Sequence, residues 1–264
     1  MSPNTSTVRM PARPLTEAIR AYWNAHIHDL EIARHPIGTK GFFEDLAAYR
    51  YEKLAYLPRV VDFTAYRGQR LLEVGCGVGL DLVRFARHGA IVTGVDLAEV
   101  AIDLARQHFA LSGVDGELLV IDGEDLRFDS ERFDVVYAHG VLQYTADAPR
   151  MLSEIRRVLK PGGQAIVMVY HRYSWLTLMA TLFGVPLEHA DAPVLKTYSI
   201  REFRTLLRGF SCVQIIPERF PVQTRLHHGL KARLYNGLFV AAFQRIPKPL
   251  VRPFGWHLMA MAIK

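Results

Sequence analysis

An apolar run that breaks into alternating glycines constrains this chain more than any other feature. Residues 71–79 read LLEVGCGVG, and a helical pattern, Leu80-Asp81-Leu82-Val83-Arg84-Phe85-Ala86, follows at once. The apolar half suits a strand buried on both faces of a parallel sheet, because such strands read as continuous rather than alternating apolar runs. Glycines directly after it let the backbone turn sharply and come close to a ligand. A loop joining a strand end to a helix start is also where nucleotide-like ligands sit in open α/β sheets.

The rest of the chain repeats that alternation. Strands are expected at Arg70 to Val74, Ile91 to Val95, Glu117 to Ile121, Phe133 to Ala138 and Gln164 to Tyr170. Helices are expected at Leu80 to Arg87, Val100 to Leu111 and Pro149 to Leu159, with a turn at Lys160-Pro161-Gly162-Gly163. Alternation of this kind marks an α/β fold, a doubly wound, mostly parallel sheet. Two helical stretches precede it. Leu15 to Leu30 places Ala18, Ile19, Tyr22, Trp23, Ile27 and Leu30 on one face, and a second stretch runs from about Gly41 to Pro58. Beyond Tyr170 the regularity breaks into an insertion, His171 to Thr197, then a helix from Ser199 to Leu207, a strand around Cys212 to Ile216, and a last strand from Trp256 to Ile263.

At 264 residues and 50% hydrophobic composition the chain accommodates one large α/β domain, or one domain with a small lid. No uniformly apolar run reaches the ~18 residues of a membrane span. The N-terminal MSPNTSTVRMPARP has no signal-peptide pattern. Cys76 and Cys212 are too few for a disulfide framework, no metal-ligand spacing is present, and a cytoplasmic setting is expected. The net charge of +6 is uneven: Glu218 is the last acid, and eight Lys or Arg residues follow it.

Which ligand the glycine loop takes is decided by its details. A dinucleotide site wants Gly-x-Gly-x-x-Gly, but after Gly75 and Gly77 the third required position holds Leu80. Glu73 would repel a pyrophosphate yet accept hydrogen bonds from an ammonium or hydroxyl group. A cationic, phosphate-free nucleoside fits better. In LLEVGCGVG and in Ile155-Arg156-Arg157-Val158-Leu159-Lys160-Pro161-Gly162-Gly163 the chain resembles the class I S-adenosylmethionine-dependent methyltransferases, specifically small-molecule enzymes of the type 11-like group. The resemblance runs from about Arg67 to Tyr170.

That resemblance implies a Rossmann-like methyltransferase fold with a seven-stranded sheet whose last strand is antiparallel, and S-adenosyl-L-methionine as cofactor. It divides the chain into a disordered tail over 1–14, an N-terminal helical lid over 15–66, and a methyltransferase domain over 67–264 with insertions at about 171–198 and 218–255. The cofactor residues it implies are Glu73, Gly75 and Gly77 in the glycine loop, Asp96 and Leu97 at the ribose, and Asp122, Gly123 and Glu124 around the adenine. His139 would lie near the reactive methyl, with Trp23 and Tyr51 in the lid. An acid at Asp96 also serves as an ordinary helix cap, an acidic turn at Asp122 is often only a solvated loop, and the lid helices alternatively just pack on the sheet.

Candidate catalytic residues are His139, His171 and Tyr144, which fall at or beyond the carboxyl ends of strands four and five. A histidine beside such a site is a candidate general base. Leu226, Leu230, Leu234, Leu238, Phe239, Ala242 and Ile246 form a stripe at helical spacing among Arg225, Lys231, Arg233 and Arg245. It packs on its own domain, covers a pocket, joins two copies as a homodimer or lies on a membrane surface. The expected activity is methyl transfer to an oxygen, nitrogen, sulfur or carbon atom of a small molecule, with a thiol or a quinone-like lipid as a narrower alternative. A nicotinamide oxidoreductase is disfavoured by Leu80 and Glu73. A non-catalytic module binding cofactor or nucleic acid has only the basic C-terminal segment in its favour.

Overall fold

The computed structural model describes residues 12–184, 187–223, 229–230, 233 and 235–264. Its centre is a seven-stranded sheet in the order β3-β2-β1-β4-β5-β7-β6. The strands are β1 (Arg70–Val74), β2 (Ile91–Asp96), β3 (Glu117–Val120), β4 (Phe133–His139), β5 (Leu159–Tyr170), β6 (Ser211–Glu218) and β7 (His257–Ile263). β1 to β5 are parallel, and β7 inserts antiparallel between β5 and β6. Helices α4 (Leu80–Arg87), α5 (Glu99–Ser112) and α6 (Ala148–Val158) cross between strands.

Local sequence explains why these elements form. In α6 the residues Met151, Leu152, Ile155 and Val158 recur three and four apart and are buried, while Arg156 and Arg157 close the last turn. Asp147 caps that helix by accepting from the Arg150 amide at 3.1 Å, a contact worth ~1 kcal/mol in typical helices. One apolar core lies under α6 and includes Phe203 of α8 (Ile200–Leu206). A second lies under α4 and α5 and is aromatic, with Phe63, Phe85, Tyr137 and Trp256, and a third, smaller one joins Phe42, Phe43 and Leu46 to Val78 and Leu104.

Two boundaries differ from the sequence expectation. Lys160 to Gly163 is not a free turn: β5 begins at Leu159, and pairing with β4 jumps from Phe133–Leu159 to Val135–Gln164, so these residues form a bulge within the strand. Gly163 is required there because a β-carbon would stand 2.9 Å from the Lys160 carbonyl and 3.0 Å from that of Asp134. The first helix, α1 (Ala12–Ala25), begins inside the expected tail, whose residues 1–11 lie outside the described residues. After it come a 3₁₀ turn at Leu30–Ile32, α2 (Lys40–Lys53) and α3 (Leu57–Val60).

The insertion after β5 contains α7 (Trp175–Phe183). After β6 the chain forms a π-helical turn at Tyr235–Val240 and a short helix at Ala241–Arg245. Of the apolar and basic stripe, Arg225, Leu226, Lys231 and Leu234 lie outside the described residues. Leu230 and Leu238 are exposed, whereas Trp175 packs its ring near Phe239 and Phe243. No described helix is long and apolar enough to cross a membrane.

Candidate active site

A cavity of about 220 Å³ lies at the carboxyl edge of the parallel strands. One half of it is the glycine turn. Gly75, Gly77 and Gly79 all have left-handed backbone (φ 71°, 53° and 77°), which an L side chain adopts only at a cost. The Gly75 and Cys76 amides donate to the Val95 carbonyl at 2.8 and 3.0 Å, tying the loop to β2. A β-carbon at Gly75 would meet Val141 at 2.8 Å, whereas one at Gly77 would enter open space.

Asp96 ends β2 and accepts from the Gly77 amide at 2.9 Å through Oδ2 and from the Ala98 amide at 2.9 Å through Oδ1. The Leu97 amide also bonds this carboxylate, which has about four acceptor positions, so capacity remains for a ligand hydroxyl. Burial pushes its pKa up. Glu73 is buried with Oε2 lacking any partner. Burial first, and Asp81 next, hold its carboxyl well above the usual range. A cationic group placed there would pair it and relieve that cost. At the far end Asp122 closes a turn by accepting from the Glu124 amide at 2.9 Å. The Glu124 carboxylate accepts through Oε1 from the Thr145 hydroxyl and from the Asp147 amide at 2.8 Å, which ties it to the loop before α6. Leu97 and Gly123 complete this half of the lining. Cradle, spare acceptors and an unpartnered buried carboxyl oxygen fit a nucleoside that carries a cation.

Helix α1 packs on α5 and also borders the cavity. Asn24 accepts from the Val100 amide at 3.2 Å and donates to Glu99, clamping α1 onto the start of α5. Ile19, Trp23 and Ile27 line the cavity, and the Trp23 ring lies 5.0 Å from Tyr144 and 4.8 Å from His189.

The other half of the cavity is polar and buried. Arg50 reaches from α2 to both oxygens of Asp81, with Nε to Oδ1 at 2.9 Å, and its Nη2 lies 3.3 Å from His139 Nδ1. Tyr137 donates to Asp81 at 2.8 Å. Beyond His139, Tyr56 Oη lies 3.1 Å from His139 Nε2 and 2.6 Å from His257 Nδ1. Arg219 Nη1 is 3.0 Å from His257 Nε2, and its Nη2 pairs with Glu188 at 2.5 Å. Lys53 bridges Glu188 at 3.2 Å and Asp29 at 3.1 Å. Burial, and next the Arg50 charge, lower His139 to about 3; burial and Arg219 push His257 well below the imidazole range. Although burial opposes it, pairing with Arg219 and Lys53 holds Glu188 well below the carboxylate range. Arg219 has φ 61°, a left-handed backbone that typically costs a non-glycine residue ~1–3 kcal/mol and that marks functional sites.

Of the expected residues, Glu73, Gly75, Gly77, Asp96, Leu97, Asp122, Gly123, Glu124, His139, Tyr144 and Trp23 line this one cavity. Two do not. Tyr51 turns behind the glycine loop, where it donates to Asp81 at 3.0 Å and packs under the Arg84 guanidinium. Its neighbour Arg50 takes the place in the cavity wall. His171 is buried outside the lining, with Nδ1 3.1 Å from the Gly255 carbonyl and its amide bonded to that of Trp256 through the carbonyl at 2.8 Å. It fastens the insertion to the start of β7. Sequence reasoning missed Arg50, Asp81, Lys53, Glu188, Arg219 and His257. A signal existed only for the first two: Arg50 sits among tyrosines, and Asp81 is a lone acid on the buried face of α4.

The sheet order, the antiparallel β7 and a nucleoside-shaped cradle at the β1–α4 turn define a class I methyltransferase fold. Residues 72–167 match the family described as a methyltransferase domain, and the chain belongs to the class I S-adenosylmethionine-dependent methyltransferase family. Among curated proteins it is 37% identical over 106 residues to the ubiquinone biosynthesis O-methyltransferase of Coxiella burnetii, covering 40% of this chain and 45% of that one. It is 35% identical over 175 residues to the protein of the same name from Cereibacter sphaeroides, covering 64% and 66%. The chain thus spans less than half of the Coxiella relative's length. Among solved structures, magnesium protoporphyrin IX methyltransferase from Synechocystis superposes with TM-score 0.60 at 16% identity over 94% of this chain and 99% of that one. A methyltransferase from Thermotoga maritima gives 0.57 at 22% identity over 84% and 98%. These superpositions concern the fold.

Proposed function

We propose that the chain transfers a methyl group from S-adenosyl-L-methionine to a small-molecule acceptor. The observation that carries this reading is the cradle: left-handed glycines, an Asp96 carboxylate with acceptor capacity to spare, and a buried Glu73 oxygen without a partner. Glu73 would hold the ammonium end, Asp96 the ribose hydroxyls, and the Asp122–Glu124 turn the adenine, while His139 and Tyr144 border the reacting end. The cofactor supplies a methyl group on a positively charged sulfur. The protein's own contribution is orientation and exclusion of water, which the Trp23 lid and the buried ion cluster provide. The names of the curated relatives favour an oxygen acceptor on a quinone precursor. Calorimetry with S-adenosylmethionine and with a nicotinamide dinucleotide tests the cofactor, and release of S-adenosylhomocysteine over a panel of phenols, thiols, carbon acids, amines and alcohols tests the reaction. Binding of the dinucleotide instead would refute it. Asp96→Ala should weaken S-adenosylmethionine by about 1–3 kcal/mol, since ligand hydroxyls lose a charged acceptor.

A second reading places the acceptor in a lipid surface. Leu178, Leu182, Leu238, Leu250 and Phe254 are exposed large apolar residues within the two insertions, and no acid follows Glu218. Basic and apolar groups together suit an anionic bilayer. Co-sedimentation with anionic but not neutral vesicles supports this reading, and equal retention by neither refutes it. Both cysteines are free, in keeping with a cytoplasmic enzyme.

A further inference from the structure

The acceptor half of the cavity has an unusual hydrogen-bond order, running Arg50, His139, Tyr56, His257, Arg219. Arginine carries only donors, so each imidazole nitrogen that faces an arginine must be an acceptor without a proton. Arg50 therefore fixes His139 with its proton on Nε2, and Arg219 fixes His257 with its proton on Nδ1. Both of those N–H groups point to the single oxygen of Tyr56. A phenol oxygen has two lone pairs, which these bonds fill, and the Tyr56 hydroxyl proton is left to Met259 Sδ at 3.8 Å. All four ring nitrogens of the two histidines are thereby committed.

The acids, tyrosine and further histidines of this half are hydrogen-bonded as well. Asp81 is taken by Arg50, Tyr51 and Tyr137, Glu188 by Arg219 and Lys53, and Asp29 by Lys53. Tyr144 lies 3.1 Å from the Glu188 carbonyl and 3.3 Å from the Tyr170 hydroxyl. His28 Nδ1 is 2.7 Å from His189 Nε2, and its Nε2 is 3.4 Å from Asp29. His26 is exposed at the rim and bonds the Tyr22 carbonyl at 2.8 Å. The charged groups around His139 and His257 are Arg50, Arg219 and Lys53 against Asp81 and Glu188, and burial with the arginines keeps both rings neutral.

We infer that Arg50, Tyr56 and Arg219 are positioning residues that lock His139 and His257 as neutral, fully bonded rings, so that the acceptor must reach this wall already ionised at its reacting atom. This rests on the methyl-transfer reading and names its substrate class: phenolates, thiolates or stabilised carbanions rather than neutral alcohols or ammonium groups. The bookkeeping agrees. An anionic acceptor uses its electron pair to form the bond to the methyl carbon while the carbon–sulfur pair returns to sulfur, so one positive and one negative charge vanish and no proton needs a base. A neutral alcohol would release a proton, and neither His139 nor His257 has a free ring nitrogen to take it.

Two measurements test the inference. Nitrogen-15 NMR of the histidines, on protein loaded with S-adenosylhomocysteine, should show His139 as the Nε2–H tautomer and His257 as the Nδ1–H tautomer, both neutral at pH 7; either ring charged, or the opposite tautomer, overturns the lock. In the acceptor panel, the pH dependence of kcat/KM should follow each acceptor's own ionisation, and His139→Gln should change the rate without moving that profile. A constant enzyme-borne ionisation near ~6.5 that disappears in His139→Gln is the signature of a histidine base and overturns it. So does a panel in which only neutral alcohols or amines, or nothing acidic, is methylated. Calorimetry with S-adenosylmethionine on the same samples separates these failures from failure of the methyl-transfer reading itself.

Discussion

Replacing Glu73 by glutamine should raise the stability of the free protein and lower its affinity for the cofactor. Glu73 is 4% exposed, its Oε2 has no partner, and burial followed by Asp81 raises its pKa well above the usual carboxylate value. A carboxyl whose folded pKa exceeds its unfolded one contributes stability that is complete below the unfolded value, ~4.3, and is lost as pH rises through the folded value. Glutamine copies the protonated form at every pH. The gain therefore appears above about pH 4.3 and grows with pH at up to ~1.4 kcal/mol per unit until the folded pKa is reached. Binding changes in the opposite sense. Loss of a charge-assisted hydrogen bond to the ligand's ammonium costs about 1.5–3 kcal/mol, or roughly 10- to 150-fold in Kd. Urea unfolding at pH 5 and pH 8 measures the first effect, and calorimetry with S-adenosylhomocysteine the second. Methylthioadenosine, which has no ammonium group, serves as control and should bind both proteins equally. A variant that is less stable at pH 8 and binds S-adenosylhomocysteine as well as before would refute the assignment.

Arg50→Met should destabilise the fold by about 3–5 kcal/mol, because Asp81, 1% exposed, is left as an uncompensated buried charge; chemical denaturation reads this directly. His28 is lowered to about 4 and His139 to about 3 from 6.5, in both cases chiefly by burial, so the unfolded chain binds more protons below 6.5. Stability should then fall as pH drops from ~6.5 toward ~4, by up to about 1.4 kcal/mol per unit for His139 and by less for His28, whose side chain is 39% exposed and screened by solvent, and a flat profile across that window would contradict the neutral state of His139. Gly75→Ala should lower both thermal stability and cofactor affinity, since its β-carbon would stand 2.8 Å from Val141 on a backbone at φ 71°.

The cofactor half was legible because local sequence determines it. β1 and α4 fall where the apolar run, the glycines and the 3.6-residue pattern place them, and Asp96 follows from its position at the next strand end. The acceptor half was not, because long-range register assembles it. His257 reaches the site only because β7 runs antiparallel and sets it beside Tyr170 on one side and Glu218 on the other. A single histidine ahead of an apolar strand gives no warning of that. The choice between Arg50 and Tyr51 depends on helix phase: adjacent residues diverge by about 100° around an α-helix, and the packing of Arg84 on the Tyr51 ring decides which one faces inward. Lys160 to Gly163 has turn composition, but the pairing of Leu159 with Phe133 absorbs it into β5.

The position of β7 sets an order of events during synthesis. A nascent chain that has emerged only as far as β6 already contains every residue of the nucleoside cradle, from the glycine turn through Asp122. The acceptor wall is still open, because the strand that fills the gap between β5 and β6, and delivers His257 to Tyr56 and Arg219, comes after them. Ligand capture can therefore precede closure of the sheet, and a bound nucleoside would steady the parallel half while its interior gap waits for the last strand.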